Sequence, residues 1–300
     1  MSTYLIKGKE FTAGSIAPGL YIAATPIGNL GDITLRVLET LSGCDLIACE
    51  DTRVTRKLLN HYGITTKPIS YHEHNADSAG PRIIEDLDSG KSVVLVSDAG
   101  TPIVSDPGSR LVDMALAAGH PVWPLPGASA PLAALVAANL PCETWSFAGF
   151  LPTKQGARKS RLQDLSAYQS TLVFFESPNR VSKTLNDMEN ALGPDRQAVV
   201  ARELTKLHEE FSRGTLQELS SEFYSRSLKG EVVILVGPPN AAGDDVDPDA
   251  LLTELMQEMS VSRAAAQASE LTGKPKRDLY QRALELKDDE LKDEVNGSGA

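Results

Sequence analysis

The chain has 300 residues, a formal net charge of −11 and 41% hydrophobic side chains, which suits two ordinary domains and excludes a disordered or collagen-like chain. Its longest apolar run, residues 131–140, is about half the length that a membrane-crossing helix needs, and the N-terminus shows no basic-then-apolar signal pattern. Three cysteines, Cys44, Cys49 and Cys142, cannot build a disulfide framework, so a reduced chain in the cytoplasm is expected.

The acid is unevenly spread. Residues 240–300 hold 14 acids against 7 bases, whereas the first 239 hold 26 against 22. Local basic surface therefore remains possible on the body of the chain.

Residues 1–18 show no clear period, and a loosely held N-terminal extension is expected there. Short apolar runs at 20–24, 45–49, 92–97 and 121–125 read as buried strands. Helical spacing at 34–41, 52–61, 82–87 and 109–118 lies between them. Such alternation predicts a mainly parallel sheet covered on both faces, an N-terminal α/β domain over 19–126. A small-residue helix at 128–140 opens a second α/β domain over 127–239. Its strands are expected at 145–149, 171–175, 197–203 and 231–236, and its helices at 183–192 and 216–223. A linker rich in Asp, Gly and Pro follows at 240–248. Residues 249–300 read as three short helices, at 249–259, 262–271 and 274–286, with a disordered tail. The fold class is α/β, two α/β domains plus a small C-terminal helical module.

Open α/β sheets bind ligands beyond the carboxyl ends of their strands, so the strand exits carry the functional signal. The first exit reads Thr25-Pro26-Ile27-Gly28-Asn29-Leu30-Gly31-Asp32, which is neither a dinucleotide G-x-G-x-x-G loop nor a P-loop. It also fits a plain capped turn. The second exit is Glu50-Asp51-Thr52-Arg53, where acids commonly cap a helix. Tyr71-His72-Glu73-His74-Asn75 carries an H-x-H pair, weak evidence for a metal without a third ligand, and no metal is expected. A rigid loop of acids, glycines and prolines runs over 97–108, and Pro124-Leu125-Pro126-Gly127-Ala128-Ser129 repeats that style. Residues 174–180 and 201–206 supply charged exits in the second half. Each alone reads equally well as structure; together they point to a composite ligand site.

The ordered motifs T-P-I-G-N-L-G-D-I-T-L-R, E-D-T-R, Y-H-E-H-N, S-D-A-G-T-P…S-D-P-G, P-L-P-G-A-S-A, F-F-E-S-P-N-R and A-R-E-L-T-K-L-H-E-E resemble the tetrapyrrole-methylase-like (class III) superfamily of S-adenosylmethionine-dependent methyltransferases. Within it they are most similar to bacterial 16S rRNA cytidine 2′-O-ribose methyltransferases. The resemblance covers residues 19–238 and extends to the C-terminal helices. The extension at the N-terminus and Asn179, where a histidine is familiar, depart from the pattern.

The resemblance implies that S-adenosylmethionine lies folded between the two α/β domains. Carried over by motif, the cofactor would meet Pro26, Asp98, Gly100, Thr101, Pro102, Ile103, Asp106, Ser129 and Ala130, and, from the second domain, Phe175, Ala201, Arg202 and Val232. A sulfonium methyl is already activated, so the enzyme must mainly align a ribose hydroxyl and accept its proton. Glu50, Asp51, His72, Glu73, His74 and Glu176 are candidates for that acceptor; the loop at 71–75 offers both an imidazole and a carboxylate. An acidic RNA-binding protein needs local bases. Lys154, Arg158, Lys159 and Arg161 form one such segment, and Lys274, Lys276 and Arg277 form another at the start of the last helix, although each can also be ordinary solvated surface. The implied substrate is a decoding-site cytidine in 16S rRNA, naked or in the small ribosomal subunit, and a homodimer is expected. Two readings compete: an enzyme of this fold acting on a small molecule such as a tetrapyrrole precursor, and a non-catalytic RNA-binding module.

Overall fold

The computed structural model describes residues 2–239, 247–272 and 275–297. The chain divides into two compact units that meet in sequence at Gly237 and Pro238. No helix among the described residues is long and apolar enough to cross a membrane.

The N-terminal residues correct the first expectation. They form an antiparallel hairpin, β1 (Thr3–Ile6) and β2 (Lys9–Thr12). Lys7 and Gly8 both have positive φ, 48° and 77°, the backbone that a tight two-residue hairpin demands. Leu5 donates its N–H to the Tyr62 carbonyl at 2.7 Å, and Tyr4 stacks on Phe11 while packing into the core beside Leu38 and Leu59. The extension is held by the body of the protein.

The first sheet contains β3 (Gly19–Ala23), β4 (Leu46–Cys49), β5 (Pro68–Ser70), β6 (Ser92–Val96) and β7 (Val122–Leu125) in the order β5-β4-β6-β3-β7, with every pairing parallel. All five residues of β6 are buried. Val94 and Val96 enter one core cluster while Val93 and Leu95 enter the other, so both faces are covered, as a continuous apolar strand requires. The covering helices are α1 (Leu35–Gly43), α2 (Thr52–His61), α3 (Ala76–Asp88) and α4 (Ser109–Ala117).

The second sheet follows α5 (Ala130–Ala138). It holds β8 (Trp145–Phe150), β9 (Thr171–Glu176), β10 (Gln197–Arg202), β11 (Glu210–Thr215) and β12 (Val232–Val236) in the order β11-β10-β12-β9-β8. Only β8 and β9 run parallel; the other pairs are antiparallel. Val173, Val199 and Leu235 pack on one face with Ala134 and Leu135 of α5. Leu172, Phe174 and Ile234 pack on the other, against α6 (Gln155–Leu165), α7 (Val181–Leu192) and α8 (Leu216–Phe223).

Helix α6 corrects one RNA-binding expectation. Arg158 turns inward, where its guanidinium pairs with the Asp187 carboxylate at 2.7 Å, and the two side chains are 5% and 0% exposed. Gln155 donates to the same carboxylate at 3.1 Å. A buried guanidinium committed to a carboxylate cannot meet a phosphate.

After Gly237, α9 (Pro248–Glu258), α10 (Val261–Thr272) and α11 (Lys276–Gly297) pack around Leu252, Ala265, Ala268, Leu279 and Ala283. Lys276 and Arg277 are exposed, while Arg282 is bonded to Asp249 at 2.6 Å. Lys274 lies outside the described residues. Helix α11 runs eleven residues beyond the expected end at 286, so the disordered tail expected there is helical as far as 297.

The Arg158–Asp187 pair gives a direct test. Asp187→Ala leaves an uncompensated buried charge and should lower unfolding stability by about 3–5 kcal/mol, read from urea denaturation of the intact chain. A change within experimental error would show that Arg158 reaches solvent.

Candidate active site

The parallel strands of the first sheet end on one side, and their exits are tied together there. Beyond β3, Thr25 and Gly100 exchange backbone hydrogen bonds at 2.8 and 3.0 Å, and the Thr25 hydroxyl donates to the Ser97 carbonyl at 3.2 Å. Thr101 donates its hydroxyl to the Ala128 carbonyl at 3.3 Å, joining the loop after β6 to the entry of α5. Within the 97–108 loop, Ile103 and Ser105 adopt positive φ, 77° and 67°. Such backbone costs about 1–3 kcal/mol per residue and persists where the surroundings over-determine it, commonly around ligands.

These exits face the second sheet across a cleft of about 440 Å³. The first half contributes Ile27, residues 98–101 and 104–106, and Ser129, Ala130 and Pro131; the second contributes Phe150, residues 175–178 and residues 230–233. The halves are locked at the back of the cleft. Ile27 enters the core of the second sheet beside Leu204, and Asn29 donates its N–H to the Thr205 hydroxyl at 3.1 Å. A Cβ on Gly28 would lie 2.4 Å from Lys206 Cγ and 3.0 Å from the Leu204 carbonyl. Only glycine permits this approach.

One wall is acidic. Asp98 and Asp106 line the cleft, and Asp98 accepts the Asp51 N–H at 3.1 Å. Burial, reinforced by the negative charges of Glu50 and Asp98 and opposed by the Ser97 hydroxyl, pushes the Asp106 carboxyl up to about 6. Burial likewise raises Asp98 and Glu50, which is raised further by Asp98 and lowered by His72. Perturbed carboxyls in a cleft mark functional sites more often than chance.

Of the thirteen expected cofactor positions, the cleft brings together Asp98, Gly100, Thr101, Asp106, Ser129, Ala130, Phe175 and Val232. Five do not line it. Pro26 is half-buried and Pro102 buried in the neighbouring loops, and Ile103 is exposed. Ala201 is fully buried under α5. Arg202 braces the second half instead, bonding Glu210 at 3.1 Å and the Lys229 carbonyl at 3.2 Å. Val104 and Glu231, in the 103–106 and 231–232 segments that the resemblance also implies, line the cleft too; Ile27 and Phe150 line it outside the expected set, and Phe150 carries no sequence signal beyond being apolar near a loop.

The proton-acceptor candidates also separate. Glu176 lines the cleft, but its carboxylate is 1% exposed. It accepts from Thr184 at 2.6 Å and the Ser177 N–H at 2.7 Å, and Arg180 lies 3.2 Å away. It is a structural anchor, not a free base. His72, Glu73 and His74 form the start of a short 3-10 turn before α3 and are not among the lining residues. His72 Nδ1 is buried without a hydrogen-bond partner among the described residues. Asp51 caps α2 and pairs with Arg53.

Comparison with known proteins places this arrangement. Residues 19–220 match the model of the tetrapyrrole (corrin/porphyrin) methylases, and residues 242–287 match the RsmI C-terminal HTH domain. The ribosomal RNA small subunit methyltransferase I of Mesorhizobium japonicum is 53% identical over 281 residues, 93% of this chain and 96% of the relative. That of Halalkalibacterium halodurans is 44% identical over 87% of this chain and 93% of the relative. The chain belongs to the ribosomal RNA small subunit methyltransferase I family. Solved structures agree on the fold of this family's body: a cobalt precorrin-4 methyltransferase aligns at TM-score 0.55 and 20% identity, covering 73% of this chain and 94% of its own. A Thermus thermophilus uroporphyrin-III C-methyltransferase complexed with S-adenosyl homocysteine aligns at 0.52 and 18%, covering 72% and 96%. The family match embraces the cleft-lining exits and the C-terminal helices alike.

Proposed function

We propose that the chain transfers a methyl group from S-adenosylmethionine to the ribose 2′-hydroxyl of a decoding-site cytidine in 16S rRNA, in the cytoplasm. The observation that carries this reading is the 53% identity, sustained over 93% of the chain, to a ribosomal RNA small subunit methyltransferase I. The chain's likeness to tetrapyrrole methylases in fold is far weaker in sequence, and this argues against a tetrapyrrole substrate. The acid-lined cleft argues against a binding module without catalysis.

The residues present fit the cofactor. Asp98 and Asp106 set negative charge on one wall, suited to a sulfonium cation. Ile27, Val233 and Phe175 give apolar surface, and the small side chains at Gly100 and Ala130 leave backbone groups open to a close ligand. When bound, S-adenosylmethionine supplies an activated methyl group, so the chain's task is alignment and proton acceptance. Asp106 is assigned as the acceptor of the hydroxyl proton, because it lines the cleft and makes no ion pair among the described residues. A group titrating near 6 is mostly ionised at neutral pH and more basic than an ordinary carboxylate. His72 acts on that wall only through its charge, which lowers Glu50.

For the RNA, α2 adds a face that the sequence motifs did not single out. Arg53, Arg56 and Lys57 are exposed on a helix with no acid between Thr52 and His61, and the Asp51 cap ties its start to Asp98 of the cleft. Lys154, Lys159 and Arg161 of the second half, and Lys276 and Arg277 of the C-terminal unit, are assigned as further phosphate contacts. A homodimer is also inferred. Helix α5 is apolar all round, a pattern proper to helices covered on every side, yet Leu132 and Val136 are 48% and 83% exposed. A second copy covering that face accounts for them, and sedimentation as a monomer at micromolar concentration would overturn it.

The test is methyl transfer from labelled S-adenosylmethionine to small ribosomal subunits lacking the modification and, separately, to naked 16S rRNA. Label recovered in a 2′-O-methylcytidine supports the reading; label in neither substrate overturns it. Because the carboxylate is the active form, kcat/KM should fall as pH drops through about 6. Asp106→Asn should lower kcat by roughly 10²–10⁴-fold and abolish that limb; an unchanged profile would remove Asp106 from the chemistry. The triple variant Arg53→Ala, Arg56→Ala, Lys57→Ala should flatten the salt dependence of RNA binding, its log–log slope falling by about 0.7–0.9 for each phosphate no longer neutralised. An unaltered slope would show that α2 does not touch the RNA.

A further inference from the structure

A break in the regular pairing of β8 changes what that strand offers to the cleft. Phe147 pairs with Val173, but the next paired residues are Gly149 with Phe174 and Phe150 with Phe175, so Ala148 is an extra residue on the β8 side. Gly149 takes φ 65°, the left-handed backbone on which such a bulge is built. Val173 and Phe175 lie on the α5 face of the sheet, and Phe174 lies on the opposite face. Three residues apart, Phe147 and Phe150 would point to opposite faces of a regular strand. The bulge puts both on the cleft face.

Phe150 is consequently a large aromatic ring lining the cleft at 58% exposure. Its orientation is fixed from behind. Its centroid lies 5.4 Å from that of Phe175, which in turn meets Phe147 at 4.9 Å, edge to face. The strained loop of the first half approaches from the other side: a Cβ on Gly149 would lie 3.5 Å from Ser105 Oγ, and the neighbouring Val104 lines the cleft at 40% exposure. An aromatic ring and an aliphatic side chain thus line a cleft one wall of which is acidic.

We propose that Phe150 is the platform on which the unstacked base of the methyl-accepting nucleotide lies, with Val104 flanking that base from the first half. The proposal rests on the reading of an RNA substrate given above. Presenting a ribose hydroxyl to a cofactor sunk between two sheets requires the nucleotide to leave its stack, and proteins that extract a base replace the missing stacking with aromatic or apolar side chains. An acidic wall cannot supply that attraction to RNA; an exposed phenyl ring can. The backbone bulge directs this ring into the cleft, and the aromatic pair behind it holds the ring in place for stacking without further ordering.

The test compares Phe150→Ala, Phe150→Leu and Phe150→Tyr in the full chain, using unmethylated small subunits that the wild type has been shown to methylate; failure at that first step would count against the function, not against Phe150. With Phe150→Ala, KM for the subunits should rise, or kcat/KM fall, by roughly 5- to 150-fold, the range associated with removing one base–aromatic stack. Calorimetric affinity for S-adenosylmethionine should stay within about twofold, as expected for a ring that touches only the base. Phe150→Tyr should restore kcat/KM, and Phe150→Leu, apolar but without a π-face, should not. Cofactor affinity falling in step with activity in Phe150→Ala would make the ring part of the cofactor wall and overturn the proposal. Full activity in Phe150→Leu would do so too.

Discussion

The close approach of Gly28 to the segment 204–206 is the constraint on which the rest of the active site depends. Two sheets of different topology, one parallel and one mostly antiparallel, form a cleft only if their loops meet at a fixed distance. Here the meeting is backbone against side chain with no room for one carbon atom. Around it, Lys206 binds Glu203 at 2.7 Å and Glu231 at 2.9 Å, and Glu231 itself lines the cleft. Glu203 and Thr205 both take positive φ, 53° and 65°. That strained segment is stabilised by the interactions it makes across the halves, a common arrangement where geometry matters more than local stability.

With that distance set, each side supplies a different chemistry. The parallel sheet delivers its strand exits to one edge, and those exits bring half-buried carboxyls whose raised titration reflects loss of water. The second half brings aromatic and apolar side chains together with the backbone around β12. The cleft therefore offers a cationic cofactor charge on one wall and apolar surface on the other. In the proposed reaction the acceptor hydroxyl would meet the Asp106 carboxylate, raised by burial to about 6 and so ionised at neutral pH. Positioning and electrostatics together account for methyl transfer without a covalent nucleophile on the protein.

The buried strands of both sheets were legible because continuous apolar runs bounded by turn residues have few other meanings, and β6 is the clearest case. The hairpin at the N-terminus was not, since four-residue strands with one face on a helix leave too short a pattern. Residues 154–161 read as basic surface because sequence cannot show that Arg158 faces Asp187, twenty-nine positions away, across a helix pair. Ala201 and Arg202 were assigned to the cleft because the motif they belong to reaches it, but strand alternation buries one and turns the other to Glu210. Phe150 was invisible for a related reason: the bulge at Ala148 breaks the period from which its face would have been inferred.

Binding of S-adenosylmethionine to Gly28→Val tests the central claim most directly, because a side chain at that position must push the two halves apart without removing any group that would touch the cofactor. Isothermal calorimetry on the full chain, with circular dichroism confirming that both sheets remain folded, gives the reading. The expected affinity is at least about tenfold weaker than that of the wild type, a loss of about 1.4 kcal/mol. A folded Gly28→Val variant that binds the cofactor with unchanged affinity would contradict it.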